Sequence, residues 1–129
     1  EKLKWDIGSA SVEAAEEMGT TQVRGRDLVT GLPKTMQVSA KDVSTALQDV
    51  VDSIITAIKG TLEETSPEIA ADVIDHGIVL TGGGALLKHL PDVIADATKV
   101  PVFIANDPLD CVAIGTGESL KSIDVMKKK

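Results

Sequence analysis

An α/β fold is predicted, with a parallel α/β lobe and a small antiparallel three-stranded α+β lobe. Three observations carry that expectation. Residues 22–38 read as a β-hairpin, residues 43–62 repeat apolar side chains at helical steps, and the chain after Gly77 alternates strand, helix, strand, helix. Two strands joined through a helix in one sheet close as a right-handed parallel crossover.

The opening EKLKWDIGSA alternates. Leu3, Trp5 and Ile7 would share one face of an extended chain and Lys2, Lys4 and Asp6 the other, as in a half-buried strand. SVEAAEEMGTT is poor in β-branched residues and reads as an acidic surface loop or a short helix. The hairpin arms are residues 22–28 and 33–38, with turn chemistry from Thr30 and Gly31 and with Pro33 at a strand start or on an edge.

Ser39 is a helix N-cap with Asp42 in the capping-box position. Val43, Leu47, Val50, Val51, Ile54, Ile55, Ile58 and Leu62 follow at three- and four-residue steps, so this helix runs to about Glu64. Ser66 and Pro67 restart a second helix, with Glu68 in its first turn and with Ile69, Val73 and Ile74 as its apolar face; His76 and Gly77 end it. Residues 78–81 are a continuous apolar strand, expected to be buried on both faces. Leu86, Leu87, Leu90, Val93, Ile94 and Ala97 give the next helical face, residues 100–105 a second strand, and Asp107-Pro108 caps a last helix. Two strands are few for a parallel sheet, and further strands are expected before Glu1, as if the chain were the tail of something larger.

A length of 129 residues suits one domain or two small lobes, and 43% hydrophobic with 26% charged residues suits a folded, soluble chain. Trp5 and Phe103 are the only aromatics, so the core must be aliphatic. A net charge of −7 argues against a nucleic-acid partner, which calls for a basic stripe. Lys127, Lys128 and Lys129 read as a solvated tail. The lone Cys111 allows no internal disulfide and favours a reducing cytoplasm. Neither a signal peptide nor a membrane-spanning apolar run is evident.

Gly82, Gly83 and Gly84 follow the first parallel strand, at the end of a sheet where ligands gather. Two readings stand: a tight strand-to-helix turn, or a bare backbone against which a flat ring can lie. A dinucleotide fingerprint needs glycine where Leu87 stands, and a Walker A loop cannot place Lys88 between Leu87 and His89. The loop therefore suits a base or sugar better than a chain of phosphates.

The stretches VRGRDLVTGLPKT, ADVIDHGIVLTGGGALLKHLPDVI and DPLDCVAIGTG resemble the MreB/Mbl family of rod-shape-determining bacterial actin homologues, and the likeness runs from Glu1 to about Ile123. The resemblance implies the ribonuclease H-like fold of the actin/sugar-kinase/Hsp70 superfamily, with ATP held between two large domains. This chain would be the C-terminal part of the second. Residues 1–38, or as far as about residue 50, would form its small outer subdomain, and residues 39–129 the C-terminal part of the inner one.

LTGGGALL resembles the family's adenosine motif, so Gly82, Gly83, Gly84, Ala85 and Leu86 would face the nucleotide. EKLK resembles the segment whose glutamate reaches ribose and base, making Glu1, Lys2, Leu3 and Lys4 candidate contacts. Gly115 and Gly117 would allow close helix packing. The family's Asp-Gly phosphate loops and Mg²⁺-linked aspartates have no counterpart in this sequence. No catalytic or metal-ligating residue is assigned, ATP binding by this chain is expected to be weak or nil, and ATP hydrolysis is not expected of it alone.

For the parent, the resemblance implies ATP-dependent filaments at the inner face of the cell membrane that direct wall synthesis and rod shape. Their partners would be further subunits and membrane-anchored shape and wall-synthesis proteins, with no direct membrane contact by this chain. The alternatives are a fragment of a small-molecule kinase of the superfamily and a stand-alone interaction module. His76 and His89 read as helix-end or surface histidines, Cys111 as a small buried residue, and Asp72 and Asp75 as solvated. Arg24, Arg26 and Asp27 read as a charged strand edge or a longitudinal filament contact.

Overall fold

Eleven elements arise from this pattern in a computed structural model that describes residues 1–123; the lysine tail lies outside the described residues. The first correction concerns the opening segment, which is a helix, α1 (Lys2–Ile7), and not a strand. Three apolar residues at alternate positions also contain one helical pair, and Leu3 and Ile7, one turn apart, pack into the core while Trp5 stays 42% exposed. The Gly8 N–H donates to the Lys4 carbonyl at 3.0 Å and closes the helix, in a space where a Cβ would strike that carbonyl.

Helix α2 (Val12–Ala15) is capped by Ser11. Strands β1 (Thr20–Arg26) and β2 (Pro33–Ser39) then pair antiparallel, from Thr20 opposite Ser39 to Arg26 opposite Pro33. The antiparallel lobe thus has two strands where three were expected. In the connection, the Asp27 carboxylate accepts from the Val29 and Thr30 amides, and Gly31 takes φ 71°.

Helix α3 (Ala40–Glu64) begins in the expected capping box: the Asp42 amide donates to Ser39 Oγ at 3.0 Å, and the Ser39 amide donates to the Asp42 carboxylate at 3.2 Å. This helix serves two cores. Its first turn joins Ala40 and Val43 to Ile7, Ala15 and Met18, whereas Val51, Ile55 and Ile58 pack with Ala10, Leu90 and Ile94. Helix α4 (Pro67–His76) starts at its proline as expected but buries no residue, and Ile69 and Ile74 stand exposed.

Strands β3 (Ile78–Leu80) and β4 (Val102–Ile104) pair in parallel around helix α5 (Leu90–Thr98). Leu80 and Val102 face the core, but Val79 and Phe103 are exposed, so β3 is covered on one side and not on both. Helix α5 does not start at the glycines. Residues Gly83–Leu86 form a single 3₁₀ turn, Leu87 is extended and His89 takes φ 60° before the helix begins. Pro91 explains the break, because proline inside a helix loses a hydrogen bond and collides with the carbonyl four residues earlier.

The last helix, α6 (Cys111–Leu120), is entered from Asp110 and not from Asp107-Pro108. Asp107 sits at φ 48° and its carbonyl accepts the Asp110 amide at 2.8 Å, a turn that delays the helix. Cys111 is half-buried where full burial was expected, its thiol aimed at the Asp107 carbonyl 3.5 Å away. Among the described residues nothing packs within 4 Å of where a Cβ on Gly115 or Gly117 would stand.

Candidate functional site

A cleft of about 320 Å³ opens where α1, α3 and the glycine loop meet. Lys4 and Trp5 form one wall, Val50 and Ile54 of α3 another, and Gly83, Gly84 and Ala85 the third. Its surface is mostly hydrocarbon, which suits a flat aromatic ring better than a bare phosphate.

The loop is shaped by its own backbone. The Gly82 amide donates to the Pro108 carbonyl at 2.7 Å, so this N–H is committed within the chain and does not face the cleft as a free donor. The Ala85 amide returns to the Gly82 carbonyl and the Leu87 amide to the Gly84 carbonyl, at 3.2 and 3.1 Å. Gly82 lies at φ 81°, where a side chain would be strained. Gly84 is exposed, and a Cβ there would meet nothing within 4 Å. The tight turn and the open face, posed as alternatives by the sequence, coexist two residues apart.

Of the residues named from the sequence, Lys4, Gly83, Gly84 and Ala85 share the cleft. Glu1 is exposed at its rim and pairs with Lys4 at 3.0 Å; the Lys4 hydrogen bond, with its charge, holds the Glu1 carboxyl below its ordinary value. Lys2 and Leu3 point elsewhere, toward a shallow surface beside β1. Gly82 supports the loop from outside the lining, and Leu86 projects away, 40% exposed.

Trp5, Val50 and Ile54 were not named as site residues. A Cβ on Gly83 would sit 3.8 Å from the Trp5 ring, and the Lys4 ammonium lies 5.1 Å from that ring's centre, within cation–π range. The available signal was the width of the α3 stripe: Val50 and Ile54 flank Val51 and Ile55, more apolar surface than one packed face needs. A second concavity, about 410 Å³ between the hairpin tip and Leu3, is lined by Val23, Leu28, Met36 and Lys34. No glycine-loop backbone reaches it. Among the described residues no group of three His, Cys, Asp or Glu side chains could hold a metal ion. No described helix is long and apolar enough to cross a membrane.

The family model described as MreB/Mbl protein matches residues 1–128. The chain belongs to the MreB/Mbl family. It is 45% identical over 129 residues to the cell shape-determining protein Mbl of Bacillus subtilis (strain 168), covering all of this chain and 38% of that protein. It is 42% identical over 125 residues to the cell shape-determining protein MreB of Pasteurella multocida, 97% of this chain and 36% of that one. The chain therefore spans little more than a third of these MreB and Mbl relatives.

The crystal structure of MreB5 of Spiroplasma citri bound to ADP superimposes with a TM-score of 0.88 at 32% identity, over 99% of this chain and 38% of that one. The same protein bound to AMPPNP gives 0.86 at 32% identity, over 98% and 38%. The α/β fold is thus of the actin-like MreB type. Likeness to MreB and Mbl over nearly all of this chain supports a fragment of an MreB-type cytoskeletal protein; neither the small-molecule kinase nor the stand-alone module gains support.

Proposed function

We propose that this chain supplies the adenosine-side half of the nucleotide pocket in an MreB-type ATP-binding cytoskeletal protein. One observation carries the reading. The open backbone face at Gly84 and the Lys4 side chain lie in one apolar cleft, in a chain that superimposes on an MreB bound to ADP. A purine would lie on the loop between Trp5 and the α3 wall, with Lys4, paired to Glu1, at the sugar end.

The residues present fit a nucleoside and not the phosphates. Among the described residues Lys4 is the one cationic side chain lining the cleft, and no Asp-Gly loop occurs in the sequence to hold Mg²⁺. ATP or ADP would bind this chain with a Kd of about 1 mM, the affinity of a half-built site, and the chain alone would not hydrolyse ATP.

Residues 1–38 would serve as the small outer subdomain and residues 39–129 as part of the inner one. The bare apolar residues of α4, α6 and the β3–β4 sheet would be covered by the rest of an actin-like subunit. The parent would form filaments that direct wall synthesis and rod shape, reaching the inner face of the membrane through membrane-anchored partners. The hairpin with Arg24 and Arg26 would meet the next subunit.

Gly84→Ala tests the site directly. Its methyl group would enter the open face without touching the fold, so thermal stability should hold while ADP affinity falls about ten-fold, a loss on the scale of one misplaced contact. Isothermal calorimetry with ADP and Mg²⁺ reads this. Unchanged affinity in Gly84→Ala, or no detectable heat with the unaltered chain at several millimolar ADP, would refute the proposal.

A further inference from the structure

We infer that Ser9 and His89 form a positioning latch that sets the distance between two walls of the cleft, α1 and the glycine loop. The inference rests on the nucleoside reading of that cleft and adds residues that do not line it. Ser9 and Ser44 are 0% and 1% exposed, an unusual depth for hydroxyl side chains, and each hydroxyl oxygen is hydrogen-bonded. The Ser9 amide donates to Ser44 Oγ on α3 at 3.1 Å. Ser9 Oγ lies 3.0 Å from His89 Nδ1, and also contacts the Ser11 carbonyl at 2.9 Å and the Ser11 amide at 3.1 Å.

A hydroxyl has one proton to give. With the Ser11 amide donating to it and the Ser11 carbonyl accepting from it, the third contact is satisfied when Nδ1 of His89 carries the hydrogen. Two further bonds run beside it. The Ala10 amide donates to the Lys88 carbonyl at 2.8 Å, and the Lys88 ammonium to the Asp6 carbonyl at 2.7 Å. The segment just after Trp5 is therefore stitched to the segment just after the glycines, across about eighty residues of sequence.

This stitching has work to do. A six-residue helix such as α1 has no stability of its own, and Ile7 is its single buried residue. Trp5 and Lys4 stay opposite Gly83 and Gly84 because the chain leaving α1 is tied down. His89 meanwhile holds φ 60°, a left-handed conformation that is unfavourable for a residue with a Cβ. Asparagine or glycine would adopt that backbone more readily, so the imidazole is there for its contact with Ser9.

Two substitutions in the 129-residue chain separate contact from backbone. His89→Gly keeps the left-handed conformation and removes the imidazole. His89→Asn also keeps it and returns a polar atom at the same distance along the side chain as Nδ1. Trp5 is the only tryptophan, so acrylamide quenching reports on the α1 wall, while calorimetry with ADP and Mg²⁺ reports on the cleft. His89→Gly should raise the Trp5 quenching constant and weaken ADP binding about five-fold, the loss of one net hydrogen bond. His89→Asn should restore both to within about two-fold of the unaltered chain. Unchanged quenching in His89→Gly would overturn the latch, and so would a loss that asparagine fails to rescue or a quenching change with unaltered affinity. If the unaltered chain binds no ADP, the nucleoside reading falls by itself, and the quenching comparison still decides whether the tie holds α1 in place.

Discussion

Helices α5 and α6 have nine and ten residues and are both rich in apolar side chains, yet they end in opposite situations. Leu90 and Ile94 of α5 are 5% and 0% exposed, whereas Val112 and Leu120 of α6 are 77% and 62% exposed. The difference lies in distribution. Apolar residues at 90, 93, 94 and 97 make one stripe that fits between α3 and β4, while α6 carries Val112, Ala113 and Ile114 in direct succession, with Gly115 and Gly117 after them. A stripe finds its core within a small lobe. A helix apolar all round requires protein on several sides, and the described residues supply little of it. Composition alone would have ranked α6 as the more buried of the two.

The largest expected effect tests this contrast. Ile94→Ala should destabilise the chain by about 3 kcal/mol, as for deletion of a fully buried branched side chain in a tight core. Ile114→Ala on α6, 55% exposed, should cost less than about 0.5 kcal/mol. Urea unfolding of both variants checks the pair. Equal losses would mean that α6 is covered in solution, for instance by a second copy of the chain, and the contrast would dissolve.

The same physics decides what could be read before any coordinates. The long helix, its capping box and the proline start of α4 were legible because each rests on short-range spacing, and the parallel crossover follows from the order of the elements. The opening segment resists reading because Leu3 and Ile7 fit the helical period as well as the alternation they share with Trp5, and only the core beneath Ile7 selects the helix. The break at His89 follows from Pro91, a local rule that the apolar pattern from Leu86 to Ala97 concealed. Of the residues that line the cleft, Lys4, Gly83, Gly84 and Ala85 are among those the resemblance points to. Trp5, Val50 and Ile54 join them only once α1 is a helix turned toward α3. The ties of Ser9 to Ser44 and His89 bridge 35 and 80 residues, and no short motif announces them.

A smaller effect compares helix starts. The N-cap of α3 is held by a reciprocal pair of hydrogen bonds, while Asp110 at the start of α6 makes none through its side chain. Ser39→Ala should therefore cost about 1 kcal/mol, and Asp110→Ala no more than a few tenths, both from urea midpoints at neutral pH. A loss at Asp110 matching that at Ser39 would show that α6 is anchored more firmly than its contacts indicate.

The smallest expected effect is a pH dependence from carboxyls held low by hydrogen bonds, Asp42 and Asp27 among them. The Ser39 hydroxyl, and then the Ser39 amide, hold the Asp42 carboxyl below its ordinary value of 3.8. The amides of Val29 and Thr30, and then Lys34, do the same for Asp27. A carboxyl whose folded value is lowered binds protons more weakly folded than unfolded. Its contribution is complete above the ordinary carboxylate value and disappears as pH falls through the lowered one. The urea midpoint should thus decline as pH drops below about 4, and Asp42→Asn should flatten part of that decline while lowering the plateau above it. The Lys34 side chain is 57% exposed, so salt screens it from Asp27, but hydrogen bonds from the amides persist. The Asp27→Asn difference should accordingly survive in about 0.5 M salt. If salt abolishes it, the hairpin turn is held by the Lys34 ion pair and not by its own backbone.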